Sequence, residues 1–241
     1  MKDLYLYINE SILDIDDNIE HAGDIAVVKN FINENYTIRN YNGPADFDIR
    51  NEKTKDEKFI VDAQYCDVTV TNKDIKSLTN NKFVWGIVGN FYCKDCSKLN
   101  SLEGSPIQVN WNFSCAGCDM LTTLKGAPLI VSISFSCKDC MSLKSLIGAP
   151  EKTETFDCSL CQSLKSLKGA PKELKNFNCN GCISLVSLNG SPKKVTDTFK
   201  CSDCGMPFDD EYIRKHCGNP KYIYTHDSLK KSYNNAIKII Q

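Results

Sequence analysis

The sequence predicts a β-solenoid of α+β class, with right-handed coils, one parallel sheet and a cap at each end, and three observations predict it. Cys-x-x-Cys recurs six times, at 93/96, 115/118, 137/140, 158/161, 179/182 and 201/204. The pairs step by 22, 22, 21, 21 and 22 residues, and self-similarity at a fixed period of this size marks stacked supersecondary units. Five of the six pairs also sit in a longer frame, Phe-x-Cys-x-x-Cys-x-x-Leu-x-x-Leu-x-Gly-(Ala/Ser)-Pro, of which a metal cluster would need only the sulfurs. Parallel strands joined by crossovers are right-handed, which sets the expected hand.

From the front, Asp24 through Glu34 reads as a short helix capped by Asp24, with Ile25, Val28 and Ile32 on one face and Phe31 beside them. Asn35 to Phe47 is turn-rich and Asn51 to Lys58 is a charged loop. Val68 and Val70, followed by Ile75 and Leu78, form a degenerate coil one step ahead of Cys93.

The unit from Leu174 shows how a coil folds. Phe177 and Cys179 lie two apart in an extended segment, so both face inward while Asn176, Asn178 and Asn180 face out. Cys182 follows where the chain leaves the strand, a place that wants a small side chain near the backbone of the neighbouring coil. Leu185 and Leu188 return apolar surface to the core, and Gly190-Ser191-Pro192 closes the turn. Four more units repeat this from Phe91, Phe113, Phe135 and Phe156, and a sixth starts at Phe199 and breaks at Gly205-Met206-Pro207. The one-residue slack in the period belongs in the turn entering the strand, because the Val/Leu/Thr-to-Phe spacing varies between three and four.

The open ends of a solenoid need atypical caps. At the rear, Asp209-Asp210-Glu211 starts a helix bearing Tyr212, Ile213 and Cys217, Gly218-Asn219-Pro220 ends it, and Ser228 to Ile240 forms another with Leu229, Tyr233, Ala236 and Ile240 on one stripe. The division is therefore 1–64 N-terminal cap, 65–204 solenoid and 205–241 helical cap.

A formal charge of −1 does not suit a chain built mainly to grip nucleic acid or anionic membrane. The total hides a division: residues 1–80 hold 9 basic and 16 acidic side chains, and residues 81–241 hold 20 and 14. No run approaches 18 apolar residues, and the start shows no secretory leader, so the expected place is the cytoplasm, with the 14 cysteines as reduced thiols.

The repeat wording, as in Leu164-Lys165-Ser166-Leu167-Lys168-Gly169-Ala170-Pro171 joined to Phe177-x-Cys179, resembles the short leucine-rich-repeat proteins of tailed bacteriophages and large DNA viruses. Val27 to Ile38, then Gly86 to Cys93, is similar to their helix-then-strand cap, and the likeness covers residues 20–204. Those blocks carry asparagine where this chain has its second cysteine, with one residue fewer before the leucine. The resemblance implies a leucine-rich-repeat-like fold and a viral origin, and no settled activity.

Cys-x-x-Cys followed 18 residues later by another pair matches zinc-ribbon spacing. Stacked coils instead place equivalent sulfurs in ladders about 4.8 Å apart, a spacing set by strand pairing. A local metal candidate is Cys201, Cys204, His216 and Cys217, where the repeat has ended, although adjacent helical residues 216 and 217 diverge by about 100°. His21, His216 and His226 lie in the caps without a nucleophile motif, and no Gly-rich phosphate loop is present, so neither an enzyme nor a cofactor is expected.

The remaining candidate is the strand face, whose central row is Tyr92, Ser114, Ser136, Asp157, Asn178 and Lys200, with Trp111 as a second aromatic anchor. The expected function is binding of a host or viral protein inside the cell, with countering of a host defence as a specialisation. Nucleic-acid binding through Lys144, Lys165, Lys168, Lys172, Lys175, Lys193 and Lys194, a structural role in the virion, and a zinc-stabilised repeat are the alternatives.

Overall fold

The computed structural model describes residues 22–40, 48–56 and 58–225. The helix expected over 228–240 and the turns expected over 41–47 lie outside them. Within them the chain is a β-solenoid of about eight turns, its sheet ordered β1-β3-β4-β6-β8-β9-β10-β11-β12. Helix α1 (Ala22–Asn35) leads into β1 (Tyr36–Asn40), β2 (Asp48–Lys53), β3 (Phe59–Val70) and β4 (Phe83–Tyr92). The repeats supply β5 (Gln108–Val109), β6 (Asn112–Ser114), β7 (Ile130–Val131), β8 (Ser134–Ser136), β9 (Thr155–Asp157), β10 (Glu173–Asn178) and β11 (Lys194–Lys200). Helix α2 (Asp210–Cys217) and β12 (Tyr222–Tyr224) follow. From β3 onward every pairing is parallel; only β1 and β2 run antiparallel, both against β3.

One buried column explains the stacking. Phe91, Phe113, Phe135, Phe156, Phe177 and Phe199 are each 0 or 1% exposed, and they face one another in register. Successive ring centroids lie 5.7, 5.0, 5.2, 5.8 and 5.4 Å apart, with planes within 26° of parallel. Strand spacing imposes that repeat, and each such contact adds about 0.5–1.5 kcal/mol beyond area burial. Two leucines per coil, such as Leu143 and Leu146, close the core from the opposite side. In the degenerate first coil Val68 pairs with Phe91, and Val70, Ile75 and Leu78 are buried as the sequence predicts.

The coil-closing glycine is required by geometry. Gly148 has φ +91°, and a Cβ there would lie 2.5 Å from the Lys125 amide nitrogen of the previous coil. The slack in the period sits where expected, because Leu174 pairs with Val195 and Asn176 with Thr198, so the extra residue bulges as the strand begins.

The front cap differs from expectation in two places. Residues 36–40, expected as turn, form β1, whose buried Tyr36 and Ile38 alternate with Thr37 and Arg39. Asn51 to Lys53, expected as loop, lies in β2, which is held by an ion pair from Arg50 to the buried Asp62 of β3. Asp62 also accepts the Ile87 amide, so one carboxylate ties β2, β3 and β4. Val28 and Ile32 of α1 are buried, and Phe31, Tyr36, Phe83 and Trp85 pass ring contacts on to Phe91. At the rear the predicted helix is present: Asp209 caps α2 by accepting from the Tyr212 amide, Ile213 and Cys217 are buried, and Gly218 ends it at φ 75°. After Pro220 the chain adds a strand the repeat pattern did not announce, with Ile223 opposite Phe199.

Candidate functional site

Parallel register sets Tyr92, Ser114, Ser136, Asp157, Asn178 and Lys200 side by side in one outward row, as the period-two reading predicts. Four of the six are committed to the chain's own turns. Asp157 Oδ1 accepts the Ser159 amide at 2.9 Å, and Asn178 Oδ1 accepts the Asn180 amide at 3.1 Å. Ser114 and Ser136 face the amides of Ala116 and Lys138 in the same way, at 3.4 and 3.5 Å. Short polar side chains of this kind stabilise an extended chain that is about to turn. The neighbouring row is a ladder of its own: Asn112 Nδ2 donates to Asn90 Oδ1 at 2.9 Å, and Asn90 Nδ2 to Asp67 Oδ1 at 2.6 Å. The middle of the face is thus largely satisfied within itself.

Its two ends differ. Lys94 Nζ stands 5.1 Å from the Tyr92 ring centre, and at the far end Lys200 Nζ stands 5.6 Å from Tyr224. Tyr222 and Tyr224, 45 and 41% exposed, extend the two outward rows onto β12, and Lys221 Nζ covers Tyr222 at 4.8 Å. These tyrosines were missed in the sequence because the repeat frame stops at Gly205; the alternating Tyr222-Ile223-Tyr224 after a proline was the available signal.

Trp111 lies off the row, in the turn between β5 and β6, half-buried with its ring over Gly89, where an added Cβ would come within 2.8 Å of it. Around it, at the edge where coils enter the sheet, Ile107, Leu129 and Ile133 are 55, 58 and 46% exposed. Leu129 donates its amide to the Ile107 carbonyl, and Ile133 to that of Trp111, so the four residues belong to two touching coils. Farther along this edge run two shallow grooves of about 560 and 530 Å³, walled by Glu154, Glu173 and Lys175 among others.

The cysteines form the second notable array. In each coil the second thiol donates to the carbonyl of the first cysteine one coil back: Cys118 to Cys93 at 3.0 Å, Cys140 to Cys115 at 3.2 Å, Cys161 to Cys137 at 3.2 Å, Cys182 to Cys158 at 3.1 Å and Cys204 to Cys179 at 3.3 Å. That is the neighbouring-coil contact the sequence assigned to the position. At the first coil Lys73 Nζ takes the corresponding carbonyl, that of Val70, at 3.3 Å. Burial, then the facing thiol of the next coil, pushes Cys115, Cys137, Cys158 and Cys179 well above the ordinary thiol value.

The four candidate metal ligands are otherwise engaged. Cys204 donates to the Cys179 carbonyl, and His216 Nδ1 lies 2.8 Å from the Tyr212 carbonyl with its ring against Tyr212. Cys217 meets Ser191 and is pushed up to about 11 by burial, and burial likewise raises Cys201. Among the described residues no three His, Cys, Asp or Glu side chains are grouped to hold a metal ion. No described helix is long and apolar enough to cross a membrane. No protein-family model, curated protein or solved structure matches the chain.

Proposed function

We propose that this chain is a non-enzymatic protein-binding module of the viral kind its repeat resembles, acting on a host or viral protein inside the cell, with countering of a host defence as the specialisation that would fit. The observation that carries the reading is the apolar edge: Ile107, Leu129 and Ile133, roughly half exposed on two adjoining coils beside Trp111. Large apolar side chains grouped on a surface, next to a tryptophan, are the chemistry of a protein interface. The aromatic and lysine ends of the strand face, at Tyr92 and at Lys200 with Tyr222 and Tyr224, flank it on a rigid sheet. The thiol ladder, which needs protonated sulfur donors, supports a reducing interior.

The test is capture from infected cells by the full chain, followed by direct binding with the purified partner. Leu129→Lys with Ile133→Lys should weaken that binding tenfold or more, about 1.4 kcal/mol or above, and changes at Tyr92 or Lys200 should weaken it less. A partner bound equally well by all variants would overturn the reading. Capture of nucleic acid with a steep loss of affinity in salt would replace it with phosphate binding by the loop lysines.

A further inference from the structure

We infer that Cys204 is a thiol-modification site for small disulfides of the glutathione class, and that Cys179, not its motif partner Cys201, is the thiol that resolves the adduct into a disulfide. Of the fourteen cysteines thirteen are buried, and Cys204 alone is partly exposed. It opens on a cleft of about 280 Å³ walled by Cys201, Asp203, Met206, Pro207, Phe208 and Thr225. Behind it, its sulfur lies 3.3 Å from the Cys179 carbonyl, and the Cys179 thiol is within hydrogen-bonding reach. Cys201 is buried, lies near both Cys204 and Cys217, and has its amide paired to the Tyr224 carbonyl, but the thiol hydrogen bond of Cys204 is made with Cys179. The reactive pair therefore joins two coils across 25 residues, where Cys-x-x-Cys spacing would have paired residues three apart.

The electrostatics agree. The Cys179 thiol, and after it a backbone contact at Cys182, hold the Cys204 thiol below its ordinary value against burial and Asp203. A depressed, accessible thiol is the one that reacts. The Cys204 thiolate attacks one sulfur of oxidised glutathione, the oxidant's S–S bond breaks, and one glutathione thiolate leaves and takes a proton. The Cys179 thiol then gives up its proton and attacks the Cys204 sulfur, releasing the second glutathione. In balance, two protein thiols lose two hydrogens and two electrons, and one glutathione disulfide becomes two glutathiones. The same inter-coil geometry recurs at Cys115/Cys140, Cys137/Cys161 and Cys158/Cys182, but there both sulfurs are sealed.

The experiment treats the native full chain with oxidised glutathione, quenches with acid and maps peptides by mass spectrometry without reduction. A Cys179–Cys204 cross-link should form first. Cys179→Ser should stop at one glutathionyl group on Cys204, and Cys204→Ser should give neither product. Iodoacetamide on the unaltered protein should label Cys204 well before any other cysteine, a readout independent of how the variants fold. A Cys201–Cys204 bond, an adduct appearing first at another thiol, or uniform labelling would each overturn the inference.

Discussion

Between the two cysteines of every motif the second spacer residue turns left-handed: Asp95, Gly117, Asp139, Leu160, Gly181 and Asp203 have φ of 56, 71, 61, 62, 70 and 55°. Glycine is at ease there and aspartate tolerates it, but a leucine costs roughly 1–2 kcal/mol in that region. Leu160 is 40% exposed and returns little of that cost through burial. Leu160→Asn should therefore stabilise the chain by about 1 kcal/mol and raise Tm by about 2–4 °C in a thermal melt; an unchanged or lower Tm would refute the strain. The thiols make a second test at this scale. If Cys140 serves as donor to the Cys115 carbonyl as well as filler, Cys140→Ser should cost less than Cys140→Val, which deletes the donor and overfills the site at about 1–3 kcal/mol. Denaturant midpoints in the reverse order would leave sulfur a filler only. The Asp or Gly at this position was written in the sequence at five of the six motifs, whereas the direction in which a thiol points across coils was not, because it depends on register between residues 24 or 25 apart.

A single coil buries its face only against its neighbours, so the coil is the element whose loss propagates. Phe135 stacks on Phe113 at 5.0 Å and Phe156 at 5.2 Å, and Phe135→Ala should cost about 3–5 kcal/mol. Ile223→Ala, at the half-buried last rung, should cost clearly less and should loosen amide exchange only near β11 and β12. Equal losses for the two would contradict nearest-neighbour stacking. The repeats were legible because each element reproduces one sentence, Phe, Cys, Leu, Leu, Gly, Pro, whose positions all map to buried or closing roles. The caps were less so. The strand at Tyr36 to Asn40 has only two inward residues, and β2 is fixed by an ion pair from the partly exposed Arg50 to the buried Asp62, 12 residues apart, a contact no local pattern announces. On the candidate site, the alternation set the six residues in one register, of which Ser114 is buried. It could not show that Asp157 and Asn178 would be occupied by their own turns, or that Tyr224 would join the row after a helix.

At the scale of the whole molecule the thiol array makes stability depend on alkali. Eight cysteines, Cys96, Cys115, Cys118, Cys137, Cys158, Cys179, Cys201 and Cys217, are raised in the folded chain from 9.0, mostly by burial and by facing thiols, with Cys217 at about 11. The sign follows from linkage. Below pH 9 these groups are protonated whether the chain is folded or not, and they leave stability unchanged with pH. Above it the unfolded chain releases protons that the folded chain retains, so stability falls by about 1.4 kcal/mol per pH unit for each such thiol until its own folded value is passed. Cys204, lowered instead, adds a small opposite trend below pH 9. Eight thiols titrating together outweigh the stability of an ordinary domain, about 5–15 kcal/mol, within one or two pH units. The chain should hold a flat Tm from pH 7 to 8.5 and then unfold cooperatively between about pH 9.5 and 11, with several protons released per molecule and no salt dependence of the kind surface charge would give. Thermal melts across that range, with thiolate absorbance followed on the same samples, measure both quantities. A Tm that stays level to pH 11, or thiolate signal beyond that of Cys204 that rises before the fold is lost, would mean that the sulfurs are not sealed in the column.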